Sequence, residues 1–238
     1  MSTPEREAQV RAGLAGVRAR IERACHAAGR DPGGVTLVVV TKTYPASDVE
    51  LLAGLGVVDV GENRDQEAAA KAAAVSAPMR WHFVGQLQRN KCRSVVTYAD
   101  VVHSVDGVRL AETLAGAAQR HRERALSVLV QVSVDGDPAR GGAVRGGDAD
   151  RDLERVAAAV AAAPALRLAG VMAVAPMDWA PDAAFAALAE VSADLRARYP
   201  EATMISAGMS GDLEAAIAHG ATHVRIGSAV LGTRDKLR

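Results

Sequence analysis

Eight short apolar segments alternate with helix-forming segments along almost the whole chain, and this alternation restricts the fold more than any other feature. Most of the apolar segments are continuous rather than alternating with polar residues, as in strands that are buried on both faces of a parallel sheet. We predict strands at 35–42, 57–63, 80–86, 100–106, 126–134, 166–176, 202–210 and 222–228. The Ala-rich segments between them have the composition of helices. The pattern therefore predicts an α/β fold built from consecutive βα units.

The number and regularity of these units favour a closed barrel over an open sheet. Eight units in 238 residues fit a single (β/α)8 TIM barrel. An open doubly wound sheet is the alternative, but the first βα turn, "TKTYPAS", lacks the glycine-rich fingerprint of the dinucleotide-binding folds. A helix at 4–29 is expected before the first strand, and 229–238 is long enough for a closing helix. We expect one domain over residues 1–238.

Composition and charge argue against several classes of function. The 28 Lys and Arg residues balance 28 Asp and Glu residues, so no net charge attracts nucleic acid or an anionic membrane. No apolar segment approaches the roughly 20 residues of a membrane span, and the charged N-terminal segment lacks the apolar core of a secretory signal. Two cysteines, Cys25 and Cys92, form neither a zinc pattern nor a disulfide framework. We expect a cytoplasmic protein without a metal site, and we expect it to be a monomer.

The polar residues at the carboxyl ends of the predicted strands form the candidate site, because the chemistry of a (β/α)8 barrel takes place there. They lack the paired carboxylates of glycosidases and the His/Asp clusters of metal hydrolases. Lys42 follows the first strand, either as a solvated lysine or as an amine that forms a Schiff base. Arg225 alternates with Val224 and Ile226, so it points away from both. Because an outward Arg225 would be buried among helices, we expect it to point inward, toward a ligand.

Two segments near the C-terminus are candidates for a phosphate site. In "SAGMSGD" (206–212), Ser210 is either the N-cap of the next helix or a phosphate ligand, and the two roles are compatible. Asp212 argues against an anion there, because its charge can neutralise the same helix terminus. In "VRIGS" (224–228), Gly227 and Ser228 offer backbone and hydroxyl donors after the eighth strand, where barrels often bind phosphate.

Two further polar residues and one glycine-rich segment can be interpreted from the sequence pattern alone. Asn63, after the second strand, is more typical of an Asx turn or a helix cap than of a ligand contact. His82 alternates with Trp81 and Phe83 and is more typical of a core histidine. The glycine-rich segment "DGDPARGGAVRGGD" (135–148) suggests a mobile flap over the carboxyl end of the barrel.

Seven segments, in this order, resemble the pyridoxal phosphate homeostasis proteins, which are single-barrel relatives of the N-terminal domain of bacterial alanine racemase. They are "AGRDP", "LVVVTKTYP", "DVGENRDQE", "WHFVGQLQRNK", "HSVD", "GVMAVAP" and "SAGMSGDLEAAIAHGATHVRIGSAVLG". The resemblance covers nearly the whole chain. It implies a fold-type III barrel that binds pyridoxal 5′-phosphate (PLP) and lacks the C-terminal β domain of the racemases. The chain departs from the family at Arg64, Ala207 and Leu231, where an aromatic residue, Met and Phe are common.

The resemblance also implies roles for individual residues. Lys42 would hold PLP as an internal aldimine, and Arg225 would face its pyridine nitrogen. The other residues implied at the cofactor are Ser210, Gly227 and Ser228 at the phosphate, Ser206 close by, and Asn63 and His82 near the ring.

The chemistry of these residues bears on whether the protein is an enzyme. An arginine at the pyridine nitrogen leaves that nitrogen unprotonated and the cofactor a poorer electron sink. The related racemases borrow a tyrosine base from a C-terminal domain; of three tyrosines here, only Tyr44 lies near a predicted strand end. The resemblance implies a role in vitamin B6 and amino-acid homeostasis without robust turnover, with no catalytic residue and with PLP-dependent apoenzymes as candidate partners. The alternatives are a PLP-dependent racemase or other PLP enzyme, and a Schiff-base aldolase acting on a sugar phosphate.

Overall fold

Eight parallel strands close into one barrel in the computed structural model, which describes residues 3–137 and 141–232. The strands follow each other around the barrel in chain order, and β1 pairs with both β2 and β8. They are β1 (Thr36–Val40), β2 (Asp59–Glu62), β3 (Arg80–Phe83), β4 (Val101–Val105), β5 (Leu126–Gln131), β6 (Leu166–Met172), β7 (Met204–Ser206) and β8 (His223–Ile226). The predicted (β/α)8 barrel is confirmed, and each strand lies within its predicted segment.

The helices surround the barrel. They are α1 (Thr3–Ala27), α2 (Ala46–Gly54), α3 (Asp65–Ala74), α4 (Cys92–Tyr98), α5 (Val108–His121), α6 (Leu153–Ala161), α7 (Pro181–Arg198), α8 (Leu213–Ala218) and α9 (Ser228–Leu231). Most of the predicted closing helix at 229–238 cannot be compared, because 233–238 lies outside the described residues. Across 3–137 and 141–232, no helix combines the length and the apolar character needed to span a bilayer.

The long helix α1 packs against α8 and the short α9, and so completes the helical layer where the barrel closes. Gly13 of α1 sits where an added Cβ would come within 2.4 Å of the carbonyl oxygen of Val230 in α9. The two helices can therefore approach closely only because position 13 has no side chain. The buried residues of α1 recur at spacings of three and four, as in a helix with one apolar face, and include Val10, Leu14, Val17 and Ile21.

The barrel interior has an apolar part and a polar part. Val101, Leu129, Ala169 and Met172 form a small buried cluster contributed by β4, β5 and β6. Buried polar side chains come instead from β2, β3, β4, β7 and β8, and they are described with the candidate site. Most of the apolar core lies between the barrel and the helices, in two larger clusters.

The glycine-rich segment after β5 is attached to the end of that strand. The amide of Ala143 donates to the carbonyl oxygen of Gln131 at 2.7 Å, and the amide of Ser133 donates to the carbonyl oxygen of Ala143 at 3.0 Å. Ala143 is fully buried. The suggested flap over 135–148 includes 138–140, which lie outside the described residues, whereas the part that follows them is anchored to the barrel.

Candidate functional site

Lys42 lies in the turn after β1, exposed at the carboxyl end of the barrel. The next residue, Thr43, has a φ of 69°, and it is the one non-glycine residue with positive φ in the described chain. A β-branched residue in this left-handed region is strained by about 1–3 kcal/mol, and such strain persists where the surrounding structure enforces it, often at functional sites. The Thr43 amide donates to the carboxylate of Glu67, which helps to hold this conformation. The turn therefore presents Lys42 in a defined position at the mouth of the barrel.

Arg225 points into the barrel, as expected from its alternation with apolar neighbours. Its side chain is buried, and its guanidinium donates to Ser206 Oγ at 2.7 Å and to the carbonyl oxygen of Ala173 at 3.0 Å. Burial lowers the pKa of Arg225 to about 10, while the charge of Asp212 acts in the opposite direction. Arg225 is therefore protonated at neutral pH and held by two neutral acceptors.

Ser206 connects Arg225 to a histidine pair inside the barrel. Ser206 Oγ lies 2.9 Å from Nδ1 of His103, and Nε2 of His103 lies 2.8 Å from Nδ1 of His82. Nε2 of His82 lies 2.8 Å from Oδ1 of Asp59. Both ring nitrogens of His82 thus have hydrogen-bond partners inside the barrel, as expected for a core histidine. His82 is separated from Arg225 by His103 and Ser206.

His103 and Asp59 were not among the residues predicted to lie at the site. Within "HSVD", the structure turns His103 into the barrel and leaves Ser104 Oγ buried without a partner among the described residues. No local signal was available, because all five residues of β4 are buried and its register is irregular between Val102 and Val105, so simple alternation does not predict which side chains face the interior.

The β8–α9 and β7–α8 connections lie side by side near the end of β1. Val38 of β1 pairs with Arg225, and a Cβ at Gly227 would lie 3.2 Å from the carbonyl oxygen of Val40. The amide of Arg225 donates to the carbonyl oxygen of Gly208, which joins the two connections. Ser228 is exposed and begins α9. The structure therefore brings Gly227 and Ser228 close to the strand that leads to Lys42.

The N-cap interpretation of Ser210 is wrong. Asp212, not Ser210, occupies the N-cap position of α8, and over the described residues no side chain caps that terminus. The Asp212 carboxylate instead accepts from the amide of Met209 at 2.6 Å. The carbonyl oxygen of Ser210 accepts from Arg20 of α1 at 3.0 Å, which fixes the backbone of this loop.

The cap interpretation of Asn63 is also wrong. The N-cap position of α3 is Arg64, and no side-chain cap bond is found there in the described chain. Asn63 Oδ1 is buried and has no hydrogen-bond partner among the described residues. A Cβ at Gly85 would come within 2.1 Å of the Asn63 carbonyl oxygen, so the end of β3 packs tightly against this turn. A buried side-chain oxygen without a partner is a position where a polar ligand could complete the hydrogen bonding.

A second lysine near the site is not available for chemistry. Lys71 of α3 is buried, and its Nζ lies 2.5 Å from Glu62 Oε1 and 2.8 Å from the carbonyl oxygen of Thr41. Glu62 Oε1 also accepts from the Thr41 hydroxyl at 2.5 Å. This pair ties α3 to the ends of β1 and β2.

Tyr44 turns away from the site. Its ring is buried with the apolar residues under α1, its hydroxyl donates to the carbonyl oxygen of Gly232, and the Arg6 guanidinium lies 5.5 Å from the ring centroid. Tyr44 is therefore a structural residue and not a free acid or base at the carboxyl end of the barrel.

The arrangement can bind an anionic carbonyl compound. Lys42 supplies a primary amine, Arg225 supplies a fixed cation, and the loops at Ser210 and Gly227 supply hydroxyl and backbone donors. The three features meet around the β1–β8 junction.

Known proteins share this sequence and fold. Residues 14–235 match the family model described as alanine racemase, N-terminal domain. The pyridoxal phosphate homeostasis protein of Mycobacterium tuberculosis (strain ATCC 25618 / H37Rv) is 42% identical over 247 aligned positions, which cover 97% of this chain and 95% of the relative.

Solved structures of PipY from Synechococcus elongatus PCC7942 are similar in fold. The structure without PLP has a TM-score of 0.81 and 32% identity, and it covers 94% of this chain and 100% of that chain. The structure with PLP bound has a TM-score of 0.77 and 31% identity over the same shares.

Proposed function

The chain belongs to the pyridoxal phosphate homeostasis protein family, whose fold is that of the alanine racemase N-terminal domain, and from this premise we propose that it binds pyridoxal 5′-phosphate and acts in vitamin B6 and amino-acid homeostasis without robust turnover. The observation that carries the proposal is the convergence of Lys42, Arg225 and Gly227 at the β1–β8 junction. The PLP-bound relative supports the choice of cofactor.

The residues of this chain fit the cofactor. In the proposal, Lys42 forms an aldimine with its aldehyde, and the Arg225 guanidinium donates to its pyridine nitrogen. Ser210, Gly227 and Ser228 bind its phosphate. The unpaired buried Oδ1 of Asn63 supports a polar contact at the ring, because rotation about its last side-chain bond exchanges the oxygen for a donor NH2. Ser206 acts behind Arg225, and His82 lies deeper still.

Arg225 favours a carrier over a catalyst. Bound PLP can act as an electron sink for amino-acid carbanions, and this capacity is greatest when its ring nitrogen is protonated. An arginine keeps its own proton and donates a hydrogen bond to the ring nitrogen without protonating it. The side chain at position 225 therefore restrains carbanion chemistry.

The positions of the three tyrosines, the residue type that supplies the opposing base in the related racemases, support the same conclusion. Tyr44 is buried with its hydroxyl bonded to the backbone, and Tyr98 of α4 is paired with Asp65 of α3. Tyr199 directly follows α7, where its amide continues the helical hydrogen bonding. A racemase acting on both faces of its substrate needs two bases, so the racemase alternative is not favoured.

The role in homeostasis requires recipients of the cofactor, and we propose that these are PLP-dependent apoenzymes. An exposed lysine at the open end of the barrel supports exchange, because an acceptor can reach it without unfolding the barrel. When the PLP-loaded protein is mixed with an apo-aminotransferase, transaminase activity should return faster than PLP dissociates from the loaded protein on dilution. Equal rates would mean that the protein stores PLP and does not deliver it.

Borohydride reduction of the purified, PLP-loaded protein tests the site. We expect the absorbance band of a protonated imine before reduction, and a pyridoxyl group on the Lys42 peptide afterwards. Lys91 is the matched control, because it follows β3 and is also at the carboxyl end of the barrel, whereas Lys71 is buried in its pair with Glu62. Lys42→Ala should abolish the band and Lys91→Ala should keep it. A pyridoxyl group mainly on Lys91 would refute the assignment, and a protein with no such band would favour the aldolase alternative.

A further inference from the structure

A line of five polar side chains crosses the barrel interior from its amino-terminal end to its carboxyl-terminal end. It runs from Asp59 in β2 through His82, His103 and Ser206 to Arg225 in β8, with successive heavy-atom distances of 2.8, 2.8, 2.9 and 2.7 Å. All five side chains are buried. The five residues come from five different strands, so the line is a property of the closed barrel and of no single element.

Burying a line of polar side chains inside a barrel costs folding stability. The interior of a (β/α)8 barrel is usually filled with branched aliphatic side chains, and the other part of this interior is apolar, with Val101, Leu129 and Met172. Each buried polar group costs stability unless its hydrogen bonds are complete. Here every member bonds to the next, so the line holds together only as a unit.

With both rings neutral, the acceptor end fixes the direction of every hydrogen bond. Ser206 Oγ accepts from Arg225, which can only donate, and gives its own hydrogen to the unprotonated Nδ1 of His103. His103 then carries its proton on Nε2 and donates to Nδ1 of His82. His82 likewise donates from Nε2 to the carboxylate of Asp59, which can only accept. The reverse direction would place the lone pair of an unprotonated nitrogen against that carboxylate.

The charges around the line support this assignment. Burial, followed by the positive charges nearby, lowers the pKa of His103 well below its ordinary value, so this ring is neutral at neutral pH. Although burial acts to raise the pKa of Asp59, the hydrogen bond from His82 and the charge of Arg80 lower it overall. Arg80 Nη1 lies 3.0 Å from Asp59 Oδ1, which keeps the acceptor end ionised.

We propose that Asp59, His82 and His103 are positioning residues for Arg225: through Ser206 they hold its guanidinium in one orientation toward the pyridine nitrogen of the cofactor. The role rests on the proposed function, because it is the bound cofactor that Arg225 faces. The line does not conduct a proton to the site, since the arginine at its end does not give up its proton. Instead, the line keeps the hydroxyl hydrogen of Ser206 pointing toward His103. The lone pairs of Ser206 Oγ are then left to accept from Arg225.

The first test uses the cofactor-free protein and is independent of PLP binding. Heteronuclear NMR of protein labelled with ¹⁵N in its six histidines reports which ring nitrogens carry protons, and His82→Asn and His103→Asn assign the two signals. We expect both rings to be neutral and protonated on Nε2 at pH 7. A proton on Nδ1 of either ring, or an imidazolium at either position, would overturn the proposed direction.

The second test uses the PLP-loaded protein. Asp59→Asn removes the charge that anchors the line, and Asp48→Asn is the matched control, because Asp48 is also buried and paired with an arginine, Arg6, but lies in the helical layer. We expect Asp59→Asn to shift the absorption maximum of the bound cofactor and to weaken its binding by about three- to tenfold. Asp48→Asn should leave the absorption maximum unchanged.

A second variant keeps the test decisive if Asp59→Asn does not fold. Ser206→Ala cuts the line at its other end and should produce the same spectral shift. If both variants only lower the melting temperature and leave the spectrum unchanged, the line is structural and the positioning role is refuted, while the proposed cofactor site stands. If the unmodified protein does not bind PLP, the proposed function fails, and the NMR result still decides the direction of the line.

Discussion

At the scale of single residues, the burial of Arg225 explains the character of the site. Removing a guanidinium from water costs several kcal/mol unless its hydrogen bonds are replaced. The two acceptors found for it in the described chain, Ser206 Oγ and the Ala173 carbonyl, are neutral. The cation is thus oriented but not neutralised. A side chain in this state is suited to hold one acceptor atom of a ligand rather than to stabilise the fold.

Arg225→Glu should make the site a better electron sink. A carboxylate at this position favours a protonated pyridine nitrogen, so we expect faster exchange of the α-proton of alanine in deuterated water, at saturating cofactor. Affinity for PLP should fall with the loss of the guanidinium. Racemisation should stay slow in both proteins, because the hydroxyl of Tyr44, the tyrosine that follows β1, is bonded to the backbone of Gly232. Unchanged exchange in the variant would remove Arg225 from the neighbourhood of the ring, and fast racemisation by the unmodified protein would establish an enzyme.

Ser210→Ala should weaken PLP binding by about 1–3 kcal/mol, the range for a lost hydrogen bond to a charged group. Because Ser210 does not cap α8, the cofactor-free variant should unfold at the same urea concentration as the parent protein. Ser104→Ala is the control, since this buried hydroxyl is unpaired among the described residues and lies away from the proposed phosphate site. A loss of stability with unchanged affinity would show that Ser210 is structural after all.

At the scale of elements, the sequence was sufficient for the strands and insufficient for their side-chain partners. All eight strands were predictable because strands buried on both faces are continuous apolar segments. The predicted strand segments were too long: β7 covers 204–206 within the predicted 202–210, and Gly208, with a φ of 90°, is no longer extended. The partners of His103 and Tyr44 come from other elements, 103 and 188 positions away in sequence. Such contacts depend on barrel register and helix packing, which local patterns do not encode.

Two glycines in α1 offer a matched test of how this helix closes the molecule. A Cβ at Gly13 would collide with the backbone of α9, whereas a Cβ at Gly16 would meet nothing within 4 Å. We expect Gly16→Ala to stabilise the protein by about 0.5–1 kcal/mol through helix propensity. Gly13→Ala should destabilise it by about 1–3 kcal/mol, because rigid backbone must move. Urea unfolding of the cofactor-free variants measures both, and equal effects at the two positions would contradict the close packing of α1 on α9.

At the scale of the whole molecule, the polar part of the barrel interior makes stability depend on pH. His103 and His223 are neutral and buried to a large extent in the folded protein. Burial lowers the pKa of His103 well below its ordinary value. Burial also lowers the pKa of His223, to about 4, although the charge of Asp59 acts in the opposite direction. In the unfolded chain both rings titrate near pH 6.5. Between about pH 6.5 and pH 4 the unfolded chain therefore binds more protons than the folded protein, and acid favours unfolding.

The cofactor-free protein should accordingly lose stability as the pH falls through this window, by up to about 1.4 kcal/mol per pH unit for each of the two histidines. His223→Gln should reduce the slope of unfolding free energy against pH, because one of the two rings no longer titrates on unfolding. His121→Gln is the control, since His121 is exposed at the end of α5. Urea denaturation at closely spaced pH values between 7 and 4 measures the slopes.

The pKa of Asp59 is also lowered in the folded protein, but its carboxylate contributes a loss of stability only near and below its ordinary pKa. A loss of stability at pH 5–6 therefore cannot come from Asp59. A stability that is flat from pH 7 to pH 4.5 would mean that water or a proton reaches the histidines in the folded barrel, and the interior would then be less enclosed than its packing indicates.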